Sequence, residues 1–182
     1  MQKCIIAVGL LLLWSVRGWS QEYSRVDLFG GYSLNSAEGR RGIQNGWNGS
    51  LTYNVNSWLG ISSDFSGHYQ SQTNVDPRLN MFSLMFGPQF TVRGDSRLSP
   101  FAHVLLGFRR RGYEYPPSPL IPTLTFSQND FASAFGGGFD IKLKRSISFR
   151  PFQADYLLEK SYGNTLNNFR FSTGIVFHVG GK

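Results

Sequence analysis

Cysteine is nearly missing from this 182-residue chain, and its single copy, Cys4, lies within the first few residues. That excludes a disulfide framework or a cysteine metal site from everything that follows it. Charge is also scarce, at 16%, against roughly 25% in ordinary soluble domains. No stretch after Ser20 approaches the about 20 consecutive apolar residues that a membrane-spanning helix needs. The three histidines, His68, His103 and His178, stand far apart with no HxH or HExxH spacing, so no local metal or hydrolase motif is present. No metal or cofactor is expected.

The first twenty residues differ from the rest. Lys3 gives a short basic start, Ile5 to Trp14 is almost wholly apolar, Ser15 and Arg17 interrupt it, and Gly18 and Ser20 are small. This predicts a cleaved secretory signal peptide over residues 1–20, which takes Cys4 with it, and one domain over residues 21–182. Lys3 and Arg17 supply two of the net +7, so the remainder carries about +5. Its lysines and arginines are scattered instead of gathered on one helical face, and an exported protein rarely meets nucleic acid, so none is expected as a partner. Anionic lipid headgroups are the expected counterpart.

What the chain has in quantity is aromatic residues, 15%, and 21 glycines, set in a period of two. Val26, Leu28, Gly30, Tyr32 and Leu34 alternate with Arg25, Asp27, Phe29, Gly31 and Ser33. The fourth run interleaves Phe82, Leu84, Phe86, Pro88, Phe90 and Val92 with Ser83, Met85, Gly87, Gln89, Thr91 and Arg93. In the fifth, Val104, Leu106 and Phe108 oppose His103, Leu105, Gly107 and Arg109. Eight such runs occur. In the seventh the polar parity slips between Arg150 and Gln153, which predicts a bulge near Pro151, a residue that cannot donate to a ladder.

The links between runs alternate in length. Long ones at 35–45, 70–80, 110–129 and 159–167 alternate with short ones at 54–57, 94–97 and 143–145. Transmembrane barrels combine long outer loops with short periplasmic turns, and strands of roughly 10 residues cross the bilayer at a tilt. A soluble sandwich would leave the apolar face in water and its edge strands open, whereas closure satisfies every backbone group. The expected fold is all-β, an eight-stranded antiparallel transmembrane β-barrel over residues 21–182.

The segments FGGYS (29–33), NGWNGSLTYNVNSWLG (45–60), DFSGHY (64–69), PFAHVLLG (100–107), GGGFD (136–140), QADYL (153–157) and NNFRFSTGIVF (167–177) resemble the bacterial outer-membrane β-barrel domain family, akin to small OmpA/OmpX-like and opacity-type porin-like barrels. The resemblance implies an eight-stranded barrel in the outer membrane and no defined substrate. Ser172, Gly174, Phe177 and Val179 are similar to the terminal signal read by the barrel-assembly machinery, with Val179 in place of an aromatic residue. That machinery is the partner implied during biogenesis.

The inward parity collects Arg25, Asp27, Asp64, Asp140, Arg150, Asp155 and Arg170, with the three histidines and Gln89 beside them. An eight-stranded lumen is just wide enough for side chains, so opposite charges there are expected to pair into a structural plug instead of catalysing. His68 with Asp64 is the nearest catalytic candidate, and catalysis is not expected. Arg109, Arg110 and Arg111 at the base of the third long link are expected to meet lipopolysaccharide phosphate. The function expected is structural, surface-display or adhesive, carried by extracellular loops on a monomer. A narrow porin-like channel and a lipid-active enzyme remain as alternatives.

Overall fold

The computed structural model describes residues 23–37, 43–70, 78–115, 124–161 and 164–180. The signal-peptide expectation, residues 1–20, lies outside the described residues. Eight strands run in chain order: β1 Val26–Ala37, β2 Ile43–Asn54, β3 Leu59–Gln70, β4 Arg78–Thr91, β5 Leu98–Tyr115, β6 Leu124–Lys144, β7 Ile147–Ser161 and β8 Asn164–Val179. Each pairs antiparallel with its chain neighbours, and β1 pairs with β8 from Val26↔Val179 to Ala37↔Asn168, closing the barrel. The eight-stranded fold read from the period of two is the fold observed.

Alternation becomes burial. On β4, Phe82, Phe86 and Phe90 are 46, 47 and 45% exposed while Ser83, Met85 and Gln89 between them are 7, 0 and 4% exposed. This is the reverse of a water-soluble barrel, whose apolar residues would point in. Aromatic pairs mark both borders of the outer apolar face: Trp58 stacks on Phe90 at 6.0 Å near the short turns, and Tyr69 meets Phe82 edge-on at 5.9 Å near the opposite end.

At the closing seam two inward glycines, Gly31 and Gly174, sit opposite each other. A Cβ on Gly31 would lie 2.1 Å from the Thr173 carbonyl oxygen, and one on Gly174 would lie 2.3 Å from that of Gly30. Only glycine permits this approach of two backbones. The bulge expected near Pro151 is present as a register shift between Arg150 and Gln153 in the β7–β8 ladder. It returns Gln153, Asp155, Leu157 and Glu159 to the inner face.

Two links differ from the expectation. The alternation predicts the third at 110–129, yet β5 and β6 stay paired up to Tyr115↔Leu124. It predicts the fourth at 159–167, yet β7 and β8 stay paired up to Ser161↔Asn164, leaving only 162–163 between them. Polar residues at a strand end read as loop in sequence, but here they continue the ladder inside or above the barrel. The result is asymmetric. β5 and β6 have 18 and 21 residues against 12 in each of β1, β2 and β3, and Leu124 to Asp130 pair with β5 alone among the described strands.

Candidate functional site: a charged lumen under a projecting hairpin

Inward polar positions on eight strands meet in tiers along the barrel axis. Nearest the short turns, Asp27 accepts from Arg93 Nη2 at 3.0 Å and Asn54 Nδ2 at 2.7 Å, lies 2.6 Å from His178 Nδ1, and also bonds Ser24. Arg93 also donates to the Ser57 carbonyl at 2.7 Å, tying β4 to the β2–β3 turn.

In the next tier Arg150 forks onto Asp140, with Nε donating to Oδ1 at 2.7 Å and Nη2 to Oδ2 at 3.0 Å. Its Nη1 donates to Gln153 at 2.7 Å. The same guanidinium lies between the rings of Phe29, at 4.3 Å, and Phe101, at 4.1 Å. A planar, weakly hydrated cation can serve a carboxylate in its plane and aromatic faces above and below. Arg150 ties β6, β7 and two inward rings together at this level.

Arg170 forms the third tier and joins opposite walls. It donates to both oxygens of Asp64 on β3, at 2.7 and 3.0 Å, and through Nε to Asp155 on β7 at 2.8 Å. His103 Nε2 lies 2.8 Å from the other Asp155 oxygen, and Asn48 donates to Asp64 at 2.8 Å. Beside them the β4–β7 wall packs Met85, Leu105, Ala132, Ala134 and Leu157, all at most 1% exposed. At this level charged residues lie on one side of the lumen and a small apolar core on the other.

In the fourth tier Glu159 accepts from Arg109 and Arg111 and from Asn168 Nδ2 at 2.5 Å, while Arg111 also lies 3.3 Å from Asp130. Neither Asp130 nor Glu159 was among the charged residues singled out in the sequence, although both have the parity of their buried neighbours. Glu159 falls in the link expected at 159–167, and Asp130 stands between the link expected at 110–129 and the sixth apolar run.

Six of the seven expected lumen charges, Asp27, Asp64, Asp140, Arg150, Asp155 and Arg170, are buried within these tiers. Arg25 is not. It precedes β1 and is exposed. The arginine run is corrected as well. β5 continues through it, so alternation turns Arg109 and Arg111 inward, at 1 and 7% exposed, and leaves Arg110 outside. The His68 and Asp64 pair parts company: His68 Nε2 lies 3.0 Å from Ser33 Oγ while Asp64 serves Arg170 and Asn48.

Above Arg111 and Gln128 the two faces exchange character. Outward positions become Gly112, Glu114, Thr125 and Ser127, all small or polar. The side above the lumen becomes apolar: Tyr113, Tyr115, Leu124 and Phe126 line a cleft of about 350 Å³ with Gln128. Tyr115 and Phe126 meet edge-on at 6.2 Å. A polar outer face marks the height at which the hairpin leaves the lipid.

The sequence matches the outer membrane protein beta-barrel domain over residues 6–180. No curated protein is similar enough in sequence to match. Among solved structures, the chain is similar to Neisserial surface protein A, with a TM-score of 0.66 at 12% identity, covering 84% of this chain and 95% of that one. It is also similar to Ail, the attachment invasion locus protein of Yersinia pestis, with a TM-score of 0.55 at 16% identity, covering 86% and 99%. The N-terminal β-barrel domain of Pseudomonas aeruginosa OprF gives 0.50 at 13% identity, covering 86% and 98%. At these identities the likeness is one of fold.

Proposed function

The chain belongs to the outer membrane protein beta-barrel domain family and resides in the bacterial outer membrane, and on that premise we propose that it is a sealed, monomeric, non-catalytic barrel that displays the β5–β6 hairpin to the cell exterior. The observation carrying this reading is the contrast between a lumen crossed by four tiers of paired charge and a hairpin extended well beyond its neighbours. A filled lumen favours display over diffusion. The short turns, the start of β1 and the end of β8 lie at one end and fit the periplasmic side, which supports an outward-facing hairpin.

The apolar cleft of the hairpin is the surface through which adhesion would act, and Ail, similar in fold, is named for attachment and invasion. Arg110, Arg78 and Lys160 are exposed at the same end and supply cations for lipopolysaccharide phosphate, the role that Arg109 and Arg111 give up to Glu159.

The test joins Gly112 to Ser127 through an Asn-Gly turn, which removes the cleft and keeps Arg110. Cells carrying the shortened protein should lose binding to host surfaces while heat-modifiable gel migration still reports a folded barrel. Undiminished binding would remove the hairpin from the function.

A further inference from the structure

The end of the barrel opposite the hairpin holds a second, more polar cavity. It opens among the short turns, has a volume of about 510 Å³, and is floored by the Asp27 and Asp140 tiers. Lys142 stands opposite the inward Ser148, a register shift separates it from Lys144 at the end of β6, and Arg145 follows in the turn, so three exposed cations line the cavity. The two carboxylates on the cavity are already engaged, Asp27 by Arg93 and His178 and Asp140 by Arg150. They are poorly placed to serve the lysines too.

Ser99 gives an independent sign. Its residue is 6% exposed, it lines the cavity, and its hydroxyl oxygen has no hydrogen-bond partner in the structure. A buried hydroxyl without a partner costs free energy that a bound polar group would recover. Ser146 adds an exposed hydroxyl at the rim, while that of Ser148 is taken by His178 at 2.7 Å.

We propose that this vestibule binds a small soluble phosphate monoester carrying hydroxyl groups, of the size and chemistry of a hexose phosphate. A monoester phosphate brings close to two negative charges and three acceptor oxygens at neutral pH, which suits Lys142, Lys144 and Arg145. The volume lies in the range of small-molecule sites and leaves room for a hydroxyl-bearing body against Ser99 and Ser146. The cavity opens inside the rim, whereas a phospholipid's chains stay outside the barrel wall. A soluble solute is therefore the occupant.

Titration calorimetry on the full folded chain in uncharged detergent, with glucose 6-phosphate as probe, tests this. Saturable binding is expected, with glucose alone giving none. Lys144→Gln combined with Arg145→Gln should weaken binding at least about ten-fold through loss of charge-assisted bonds, and Ser99→Ala should weaken it roughly five-fold through loss of one hydrogen bond. All these changes lie at the rim or remove one oxygen, and heat-modifiable migration verifies folding. Arg78→Gln combined with Lys160→Gln, at the other end, should change nothing. The proposal is overturned by absence of saturable binding, by an equal loss in the Arg78 and Lys160 control, or by a response only to vesicles containing phosphatidylglycerol.

Discussion

At Glu159 two guanidinium groups, from Arg109 and Arg111, meet one carboxylate that is fully buried. Removing Glu159 leaves Arg109 buried without its carboxylate and Arg111 with Asp130 alone, at a cost of about 3 to 5 kcal/mol. Glu159→Ala should therefore lower the urea midpoint of folded protein markedly. An almost unchanged midpoint would mean that water already screens the tier. Phe86 poses the opposite case, since it is outward and 47% exposed on the face assigned to lipid. Phe86→Lys should destabilise the barrel in bilayers by about 2 to 4 kcal/mol if the residue sits at the midplane, read as a lower urea midpoint in vesicles. Parity alone was enough to place Phe86, Arg150 and Arg170. It could not pair Arg170 with Asp64, because that contact spans the lumen between β8 and β3 and depends on stagger, which one-dimensional periodicity does not contain.

Element boundaries were legible only where apolar alternation itself stopped. On the β6–β7 side it ended with the strands, and the short turns came out close to expectation. On the β5–β6 side the pattern inverted instead of ending: polar residues moved to the outer face and Tyr113, Tyr115, Leu124 and Phe126 to the inner one. A strand that passes from lipid into water looks like a loop when read as a single amphipathic period. The inversion also fixes what the hairpin contributes to stability. Among the described residues, 124–130 pair with β5 alone, so joining Gly112 to Ser127 removes rungs that do not close the barrel. Folding should survive, since backbone closure lies below the cut and exposed elements tolerate change. Heat-modifiable migration together with a urea midpoint lowered by less than about 1 kcal/mol is the expected outcome. Loss of the folded band would make the hairpin part of the closing sheet.

For the molecule as a whole, the question is whether four tiers of side chains leave a continuous path for ions. An eight-stranded lumen is narrow from the start, and Arg150 occupies it at the level of Phe29 and Phe101 while Arg170 bridges β3, β7 and β8. The charges are held in place by one another, so an applied voltage pulls each arginine and its carboxylate in opposite directions and moves neither far. Planar bilayers containing the native chain should accordingly show no steady conductance steps. Removing Arg150 alone would strand Asp140 and confuse opening with unfolding. Replacing both, Arg150→Ser with Asp140→Ser, removes the pair without leaving a buried charge and exchanges the bulky guanidinium for two small hydroxyls. If the Arg150 tier is the tightest obstruction, the double variant gains conductance while the native chain has none. If both are silent, the Arg170 tier is the seal, and the same paired replacement applied to Arg170, Asp64 and Asp155 should open it. Steady steps from the native chain would show that water threads the tiers, and the narrow channel would replace the sealed barrel as its function.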